Sequence, residues 1–214
     1  MDLGHKGKTV IISGGSKGIG AGISEVFAQE GANLVINYHR NKESCLEFAG
    51  YLSERYGIRT ATVQGDVGKE EDVAAIFDCA TQNFGRIDIL VNNAGRGVSK
   101  KFTDITLEDW NQCLNDNLTG QFLMSREFAR RVIPAKRKGW IVNILSKASC
   151  TSTTKGRVCY VCNKSGETGL THSLAVDLTE YGIHVNGVMP GFVMANTLKT
   201  QYESNRAEFN QRVE

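Results

Sequence analysis

Short apolar runs and longer amphipathic stretches alternate along the whole chain. Runs of five or six residues, rich in Val and Ile, are typical of strands buried in a parallel sheet. We predict strands at residues 9–13, 33–38, 60–64, 87–91, 140–145 and 184–189. Helical patterns fill most of the chain between them, which predicts an α/β fold. The expected architecture is one Rossmann-type, doubly wound parallel sheet with helices on both faces.

Composition and charge narrow the class of protein further. No linker, repeat or low-complexity segment divides residues 1–214, so we expect a single domain. A net charge of +2 gives no reason to expect nucleic acid or a membrane as partner. The N-terminus lacks a signal-peptide pattern, and no apolar run approaches the roughly 20 residues that span a bilayer. We therefore expect a cytoplasmic protein.

The cysteines are expected to be free thiols in that compartment. Cys159 and Cys162 form a C-x-x-C, which leaves a metal or redox site open as an alternative. A second such pair is missing from the sequence and the four histidines are scattered, so we expect no metal site.

A glycine-rich turn, GGSKGIG at residues 14–20, separates the first strand from the first helix. Glycines let the backbone approach a pyrophosphate closely, and the helix offers free N–H groups to it. The candidate contacts are Gly14, Ser16, Lys17, Gly18, Ile19 and Gly20. The same residues match the G-x-S-x-G elbow of α/β hydrolases, with Ser16 as nucleophile. That elbow normally follows several strands, and here it follows the first, so the dinucleotide site is favoured.

The end of the second strand bears on which dinucleotide binds. An acidic residue there would bind a ribose diol. This chain has Tyr38, His39 and Arg40 instead, with Lys17 in the glycine-rich turn. The two cations, Lys17 and Arg40, favour a 2′-phosphate, so we predict NADP as cofactor, with NAD the less favoured choice.

Small and polar residues also follow the later strands. Asp66, followed by Val67, could accept a hydrogen bond from an adenine amino group or cap the next helix, and both alternatives stay open. The remaining candidates at strand ends are Asn93, Ala94, Gly95, Ser146, Pro190, Gly191 and Val193. Because the carboxyl ends of parallel strands share one sheet edge, all of these should line one cleft.

Two helical segments carry the candidate chemistry. Tyr160 and Lys164 lie four residues apart, hence on one helix face. A free tyrosine has a pKa of about 10, and a nearby cation favours its phenolate, which makes a proton donor and acceptor usable near neutral pH. Asn117 and Gly120 fall inside a long helical pattern at residues 108–131, where they predict a kink or a special backbone contact.

Taken together, these motifs resemble the short-chain dehydrogenase/reductase family from residue 8 to about residue 197. The resemblance implies that Tyr160 gives its proton to the carbonyl oxygen, that Lys164 favours the phenolate and holds the nicotinamide ribose, and that Ser146 binds the substrate oxygen. Asn117 would hold a water in a proton relay through Lys164. Asn93 and Asp66 would lie along the adenosine half of the cofactor.

The resemblance also implies a reaction and an assembly. It implies hydride transfer between the nicotinamide and a secondary alcohol or ketone. The sequence resembles glucose-type sugar dehydrogenases and 3-oxoacyl reductases about equally, and a hydroxysteroid substrate is also open. The long helices around Asn117 and Tyr160 would pair across a homodimer or homotetramer. An inactive nucleotide-binding scaffold or sensor is the alternative.

The chain departs from the family pattern at three places. Ser149 is a possible substitute for Ser146. Ala195 stands where a threonine usually follows Pro-Gly, with Thr197 two residues later. The family's seventh strand and glycine-rich end have no counterpart, so we expect six strands, the sixth at an open edge. We interpret this as a shortened chain or a trimmed architecture.

Overall fold

The structure, a computed structural model, describes residues 3–151 and 155–194. The strands are β1 (Thr9–Ile12), β2 (Asn33–Tyr38), β3 (Thr60–Gln64), β4 (Ile89–Asn92), β5 (Gly139–Ile144) and β6 (Ile183–Val188). The helices are α1 (Gly18–Gln29), α2 (Lys42–Tyr56), α3 (Glu70–Phe84), α4 (Leu107–Leu114), α5 (Gly120–Val132) and α6 (Val158–Asp177). All strand pairs are parallel, and the sheet order is β3-β2-β1-β4-β5-β6.

Two apolar layers sandwich the sheet. On one face, Ala28 of α1 and Leu52 of α2 pack with alternate residues of β1 and β2. On the other face, Phe77 of α3 and Phe128 of α5 pack with the intervening strand residues, and α6 adds Leu174. Strand residues therefore alternate between two buried layers, which explains why each strand is apolar along its whole length. The predicted α/β class and doubly wound parallel sheet are confirmed.

Several element boundaries follow the sequence pattern closely. The bounds of β2 and β3 match the prediction residue for residue. In contrast, β4 begins two residues later than predicted. Asp88, just before it, accepts hydrogen bonds from Thr9 N at 2.9 Å and from the Arg86 guanidinium, so this polar residue anchors the amino end of the sheet.

The long helix predicted at residues 108–131 is interrupted. Residues Asn115–Thr119 form a π-helical turn between α4 and α5, with Asn117 buried inside it. Such π-helical turns are rare in proteins overall. Those that do occur are often found at functional sites. The predicted irregularity at Asn117 is therefore confirmed.

The sixth strand lies at the edge of the described sheet, as expected. Ala195 and Thr197 lie outside the described residues. In the part of the chain that the structure describes, none of the helices is long and apolar enough to cross a membrane.

Candidate active site

The glycine-rich turn lies at the carboxyl end of β1, where the chain enters α1. Gly14 and Gly18 have φ angles of +61° and +56°, which side chains rarely tolerate. Gly20 is buried, and a Cβ added there would lie 2.6 Å from Asn93 Nδ2 and still closer to the Gly14 carbonyl oxygen. The turn therefore keeps its shape only with glycine at these positions.

Ser13 and Asn93 join this turn to the end of β4. The Ser13 hydroxyl oxygen accepts hydrogen bonds from Asn93 N and Ala94 N, both at 2.9 Å. In return, Asn93 Nδ2 donates to the carbonyl oxygens of Ser13 at 2.9 Å and Gly14 at 3.1 Å. Asn93 was predicted to contact the cofactor, but its side-chain amide donates its hydrogen bonds to the glycine-rich turn and so holds that turn in place.

The end of β2 separates the three residues that were predicted to meet the cofactor's ribose. The Tyr38 side chain is buried in the apolar layer under α1 and α2, whereas His39 and Arg40 are exposed beyond the strand. Lys17, at the start of α1, is exposed as well. A ligand in solution can therefore reach the side chains of Lys17, His39 and Arg40 but not that of Tyr38.

Asn37 is a residue that sequence reasoning missed. Its Oδ1 accepts from Gly14 N at 3.4 Å, and its Nδ2 donates to the Gly65 carbonyl at 3.0 Å. This buried amide therefore connects the ends of β1, β2 and β3. An Asn inside an otherwise apolar strand was the signal in the sequence.

Asp66 follows β3 at the same edge. Its Oδ1 accepts from Gly68 N at 2.9 Å, and the helix α3 starts after Lys69. The alternative that Asp66 caps this helix is therefore wrong. Val67 turns into the core, where it packs so closely on Gly120 that a Cβ there would lie 2.6 Å from Val67 Cγ2.

Asn117 is almost fully buried in the π turn. Its Nδ2 donates to the carbonyl oxygens of Cys113 and Arg96, each at 2.8 Å. Among the described residues, its Oδ1 has no hydrogen-bond partner. A Cβ on Gly95 would lie 2.6 Å from that oxygen, so Gly95 is held against the Asn117 side chain.

The face of α6 that points to the end of β5 carries Tyr160 and Lys164. Lys164 is buried, and its Nζ donates to the Ile144 carbonyl at 3.0 Å. The same Nζ donates to Glu167 Oε2 at 2.8 Å and lies 5.9 Å from the centre of the Tyr160 ring. The Arg157 guanidinium carbon lies 4.4 Å from that ring, so two cations lie close to the tyrosine.

Ser146 lies two residues beyond β5, in the loop facing this helix. Its hydroxyl oxygen accepts from Ala148 N at 3.2 Å, which leaves its own proton for another acceptor. Ser149 instead donates its proton to the Ser146 carbonyl at 2.8 Å. The Pro190 carbonyl accepts from Lys147 N at 3.1 Å and thereby ties the segment after β6 to the same loop.

An open, mostly apolar cleft runs between this segment and the first turns of α1. It is lined by Gly18, Ile19, Gly22, Ile23, Val26, Phe27, Val193 and Met194. The predicted residue Val193 thus lies across a cleft from the predicted residues Gly18 and Ile19. Gly191, which precedes it, is exposed.

A buried chain of polar side chains supports α6 from behind. Asn92 Nδ2 donates to Ser125 Oγ at 3.0 Å and to Asn143 Oδ1 at 2.9 Å, and Asn143 Nδ2 donates to Thr171 Oγ1 at 2.9 Å. Thr171 in turn donates to the Glu167 carbonyl at 2.7 Å. This network holds α6, the helix that carries Tyr160 and Lys164, in register with β4 and β5.

Sequence reasoning also missed two charged residues on α6 and its cap. Arg157 lies three residues before Tyr160, and Glu167 lies three residues after Lys164, so helical spacing could have shown both. The C-x-x-C residues separate in the helix: Cys159 is buried and Cys162 is exposed, and both are free thiols. The described residues contain no cluster of three or more acidic, Cys or His side chains that could hold a metal.

The edge of the sheet fits a dinucleotide. A glycine turn with no room for side chains opens onto the start of α1, where free N–H groups suit a pyrophosphate. Exposed cations lie at one end of this edge, and the Tyr160–Lys164 pair lies toward the other. Together, these parts place along one edge the kinds of group that phosphate binding and proton transfer require.

The chain matches the family model "short chain dehydrogenase" over residues 8–206. It is 34% identical over 202 residues to glucose 1-dehydrogenase 2 of Bacillus subtilis, covering 94% of this chain and 78% of that protein. It is 38% identical over 186 residues to 3beta-hydroxysteroid dehydrogenase 1 of Eggerthella lenta, covering 87% of this chain and 70% of that protein.

A solved structure, a short chain dehydrogenase from Burkholderia cenocepacia in complex with NADP, superposes with a TM-score of 0.82. It is 34% identical, and the match covers 87% of this chain and 75% of that one. The chain therefore belongs to the short-chain dehydrogenase family. It is an NAD(P)-dependent oxidoreductase that acts on a small-molecule substrate.

Proposed function

We propose that this chain is an NADP(H)-dependent oxidoreductase that interconverts a secondary alcohol and a ketone. The observation that carries the proposal is the hydrogen bond from Lys164 Nζ to the Ile144 carbonyl, at 3.0 Å. It places a buried ammonium at the carboxyl end of β5, beside the loop of Ser146 and one helical turn from Tyr160. A cation there stabilises the phenolate form of Tyr160.

The chain's own residues divide the work at the reacting oxygen. Tyr160 gives a proton to the oxygen of a ketone, or takes it from an alcohol. The free proton of Ser146 donates to the same oxygen and stabilises the charge that develops on it. When bound, the nicotinamide supplies or accepts the hydride. Lys164 keeps one N–H beyond its two protein partners, which suits a ribose hydroxyl or a water.

Asn117 holds the loop after β4 in place in this scheme. Its bonds to Cys113 and Arg96 fix the π turn against that loop. We propose that this segment holds a water near Lys164 that takes part in a proton relay. The polar network under α6 keeps the relay and the tyrosine in a fixed relation.

The preference for NADP rests on the exposed cations at the cofactor end of the edge. Lys17 and Arg40 both face solvent beside the glycine turn and the end of β2. A 2′-phosphate carries negative charge that either cation can bind. The named structural relative was also solved with NADP.

For the substrate, we propose the chemical group that reacts rather than a particular compound. The relatives named above act, by their names, on glucose and on a 3β-hydroxysteroid, and a 32% identical relative from Aquifex aeolicus is a 3-oxoacyl-[acyl-carrier-protein] reductase. These substrates share a CH–OH or ketone carbon. We propose that this carbon reacts here as well.

We also propose that the chain forms a homodimer or homotetramer. Large apolar side chains are exposed on the helices of the candidate interface: Leu107 on α4, Phe122 on α5 and Val176 on α6. Burying them against a second copy would remove apolar surface from water. A monomeric mass from light scattering at micromolar protein would contradict this.

The test of the function is NADPH oxidation by the protein, followed by absorbance, against a panel of ketones and sugar lactones. We expect turnover with at least one member, and Tyr160→Phe should lower kcat by at least about 100-fold. NADPH binding by the variant serves as the folding control. NADPH binding without any turnover would overturn the oxidoreductase proposal and favour a nucleotide-binding scaffold.

A further inference from the structure

A buried carboxylate lies beside the proposed catalytic lysine and has no role in the scheme above. The Glu167 side chain is 2% exposed, and the Lys164 side chain is 7% exposed. Glu167 Oε2 accepts from Lys164 Nζ at 2.8 Å, and the Ile144 carbonyl takes a second N–H at 3.0 Å. Two of the three ammonium donors are therefore bound inside the protein.

This pair differs from the molecule's other ion pairs in its burial. Among the described residues, each of the other ion pairs has at least one side chain that is 32% exposed or more, as in the pair of Arg131 with Glu127, whose side chains are 32% and 16% exposed. Burial of both partners removes solvent screening, so each charge acts strongly on its neighbours. Burial raises the pKa of Glu167, and the charge of Lys164 opposes that rise.

The other ionisable groups on the elements around α6 are paired with other residues, uncharged, exposed or distant from the Lys164–Glu167 pair. Asp116, in the π turn, binds Arg96, and Asp109 of α4 binds Lys100. The thiol of Cys113 accepts a hydrogen bond from Asn163, one helical turn before Glu167, and burial raises the pKa of this thiol, so it stays uncharged. Lys147, in the loop after β5, is exposed. The ionisable residue of β6, His184, is stacked on Trp140 at the amino end of the sheet.

Tyr160, Lys164 and Glu167 thus follow one another along one face of α6. We propose that Glu167 is a positioning residue for the reaction: it holds the Lys164 ammonium and offsets its charge, and so sets the pH at which Tyr160 becomes a base. The proposal rests on the proposed function, because it assigns Tyr160 and Lys164 their parts. It adds a third ionisable group that acts through Lys164.

The sign of the effect follows from electrostatics. An ionised Glu167 cancels part of the field of Lys164 at Tyr160, so the phenolate forms at a higher pH than it would beside an unpaired ammonium. A unit charge about 6 Å away, at an effective dielectric constant of about 20, moves an ionisation by about two pH units. Glu167 lies beyond Lys164 as seen from Tyr160, so its removal should move the ionisation by about one unit.

The experiment compares Glu167→Gln with the parent. Ultraviolet difference spectra of the tyrosinate band, with a Tyr160→Phe version of each protein subtracted, report the ionisation of Tyr160 without any substrate. We expect the midpoint to fall by about one pH unit in the variant. The acid limb of the pH profile of kcat/KM for alcohol oxidation should move the same way.

Glu167→Met is measured in parallel, because its unbranched apolar side chain fills similar space without charge. Both neutral variants should shift the midpoint in the same direction. Asp88→Asn is the matched control: Asp88 is 3% exposed and pairs with Arg86 at 2.5 Å, but at the opposite edge of the sheet. It should lower the unfolding temperature and leave the Tyr160 midpoint unchanged.

Two results would overturn the proposal. An unmoved midpoint with a reduced rate would make Glu167 a structural residue only. A midpoint that rises would mean that Glu167 acts by keeping Lys164 protonated and not by offsetting its charge. Failure of the proposed function is recognised separately, since turnover that survives Tyr160→Phe contradicts the oxidoreductase scheme whatever the tyrosinate titration shows.

Discussion

The two ends of the sheet's carboxyl edge are built on different physical principles. At the cofactor end, the glycine turn is held by backbone contacts and by the hydrogen bonds between Ser13 and Asn93, and no ionisable group takes part in them. At the proposed catalytic end, Lys164 donates to Glu167 and lies 5.9 Å from the centre of the Tyr160 ring, and each of these three side chains can gain or lose a proton.

The difference predicts how each region responds to change. At the cofactor end, the constraint is steric, so an added methyl group should act on folding and nucleotide binding at every pH. At the proposed catalytic end, the constraint comes from buried charged side chains. The effect of a substitution there on stability and activity should therefore depend on pH. The variants below test that contrast, beginning with the largest expected effect.

Lys164→Met should have the largest effect. It removes the partner of a buried carboxylate and should lower the free energy of unfolding by about 3 kcal/mol at pH 8, with loss of turnover. Without Lys164, the raised pKa of Glu167 should rise further above the unfolded value of about 4.3. A raised folded-state pKa means that the protonated form is the stable one, so the penalty should shrink as the pH falls toward 5.

Thermal unfolding of Lys164→Met and the parent between pH 5 and pH 8 checks this prediction. The double variant with Glu167→Gln provides the control, because it removes the unpaired charge. It should regain much of the stability at pH 8 without regaining turnover. A penalty that is the same at both pH values would contradict the electrostatic account.

Gly20→Ala should have the next largest effect. Its Cβ would meet the Gly14 carbonyl and Asn93 Nδ2, neither of which can move without opening the turn. We expect a loss of about 2 kcal/mol in the free energy of unfolding, with strongly weakened NADPH binding, at every pH. Chemical denaturation and NADPH titration measure both.

Gly22→Ala, in the same helix, is the matched control. A Cβ at Gly22 meets nothing within 4 Å, so the substitution should stabilise the helix by about 0.5 to 1 kcal/mol. Equal effects of the two alanines would show that the turn is not sterically constrained.

Arg40→Ala should have a smaller effect, confined to cofactor choice. Losing one charge-assisted contact with a 2′-phosphate should lower the preference for NADPH over NADH by about tenfold, mainly through KM. Steady-state kinetics with both cofactors measure the ratio. Arg137→Ala, which removes an exposed arginine just before β5, should leave it unchanged. An unchanged ratio in Arg40→Ala would remove the main support for NADP.

Asp109→Asn should have the smallest effect. Hydrogen bonds from Lys100 and then from Thr106 lower the pKa of Asp109 to about 2. A lowered pKa stabilises the fold above the unfolded value of about 3.9, and this stabilisation is lost as the pH falls toward 2. The variant should therefore unfold a few degrees below the parent at pH 6, with the gap closing in acid.

Thermal unfolding between pH 6 and pH 2 measures this gap, with Glu108→Gln, an exposed residue on the same turn of α4, as control. The penalties of both variants shrink as the pH falls, but in different ranges: that of Lys164→Met between pH 8 and pH 5, because the Glu167 pKa is raised, and that of Asp109→Asn in more acidic solution, because the Asp109 pKa is lowered. A gap that persists at pH 2 would show that Asp109 contributes through helix capping alone.

The sequence by itself determined the features that depend on local spacing. The alternation of strands and helices, the glycine turn, the break at Asn117 and the shared helix face of Tyr160 and Lys164 could all be read from neighbouring residues. Each is set by backbone geometry over a few residues, namely the periods of strands and helices and the freedom of glycine.

Only the tertiary structure decided which polar groups meet and which are buried. Ser13 and Asn93 are 80 residues apart in the chain, and Asn37 joins three strand ends, so no local pattern reveals these bonds. Glu167 has the spacing of an ordinary surface ion pair with Lys164. Its proposed effect depends on the burial of both partners, and burial is a property of the packed elements rather than of the helix that carries the residue.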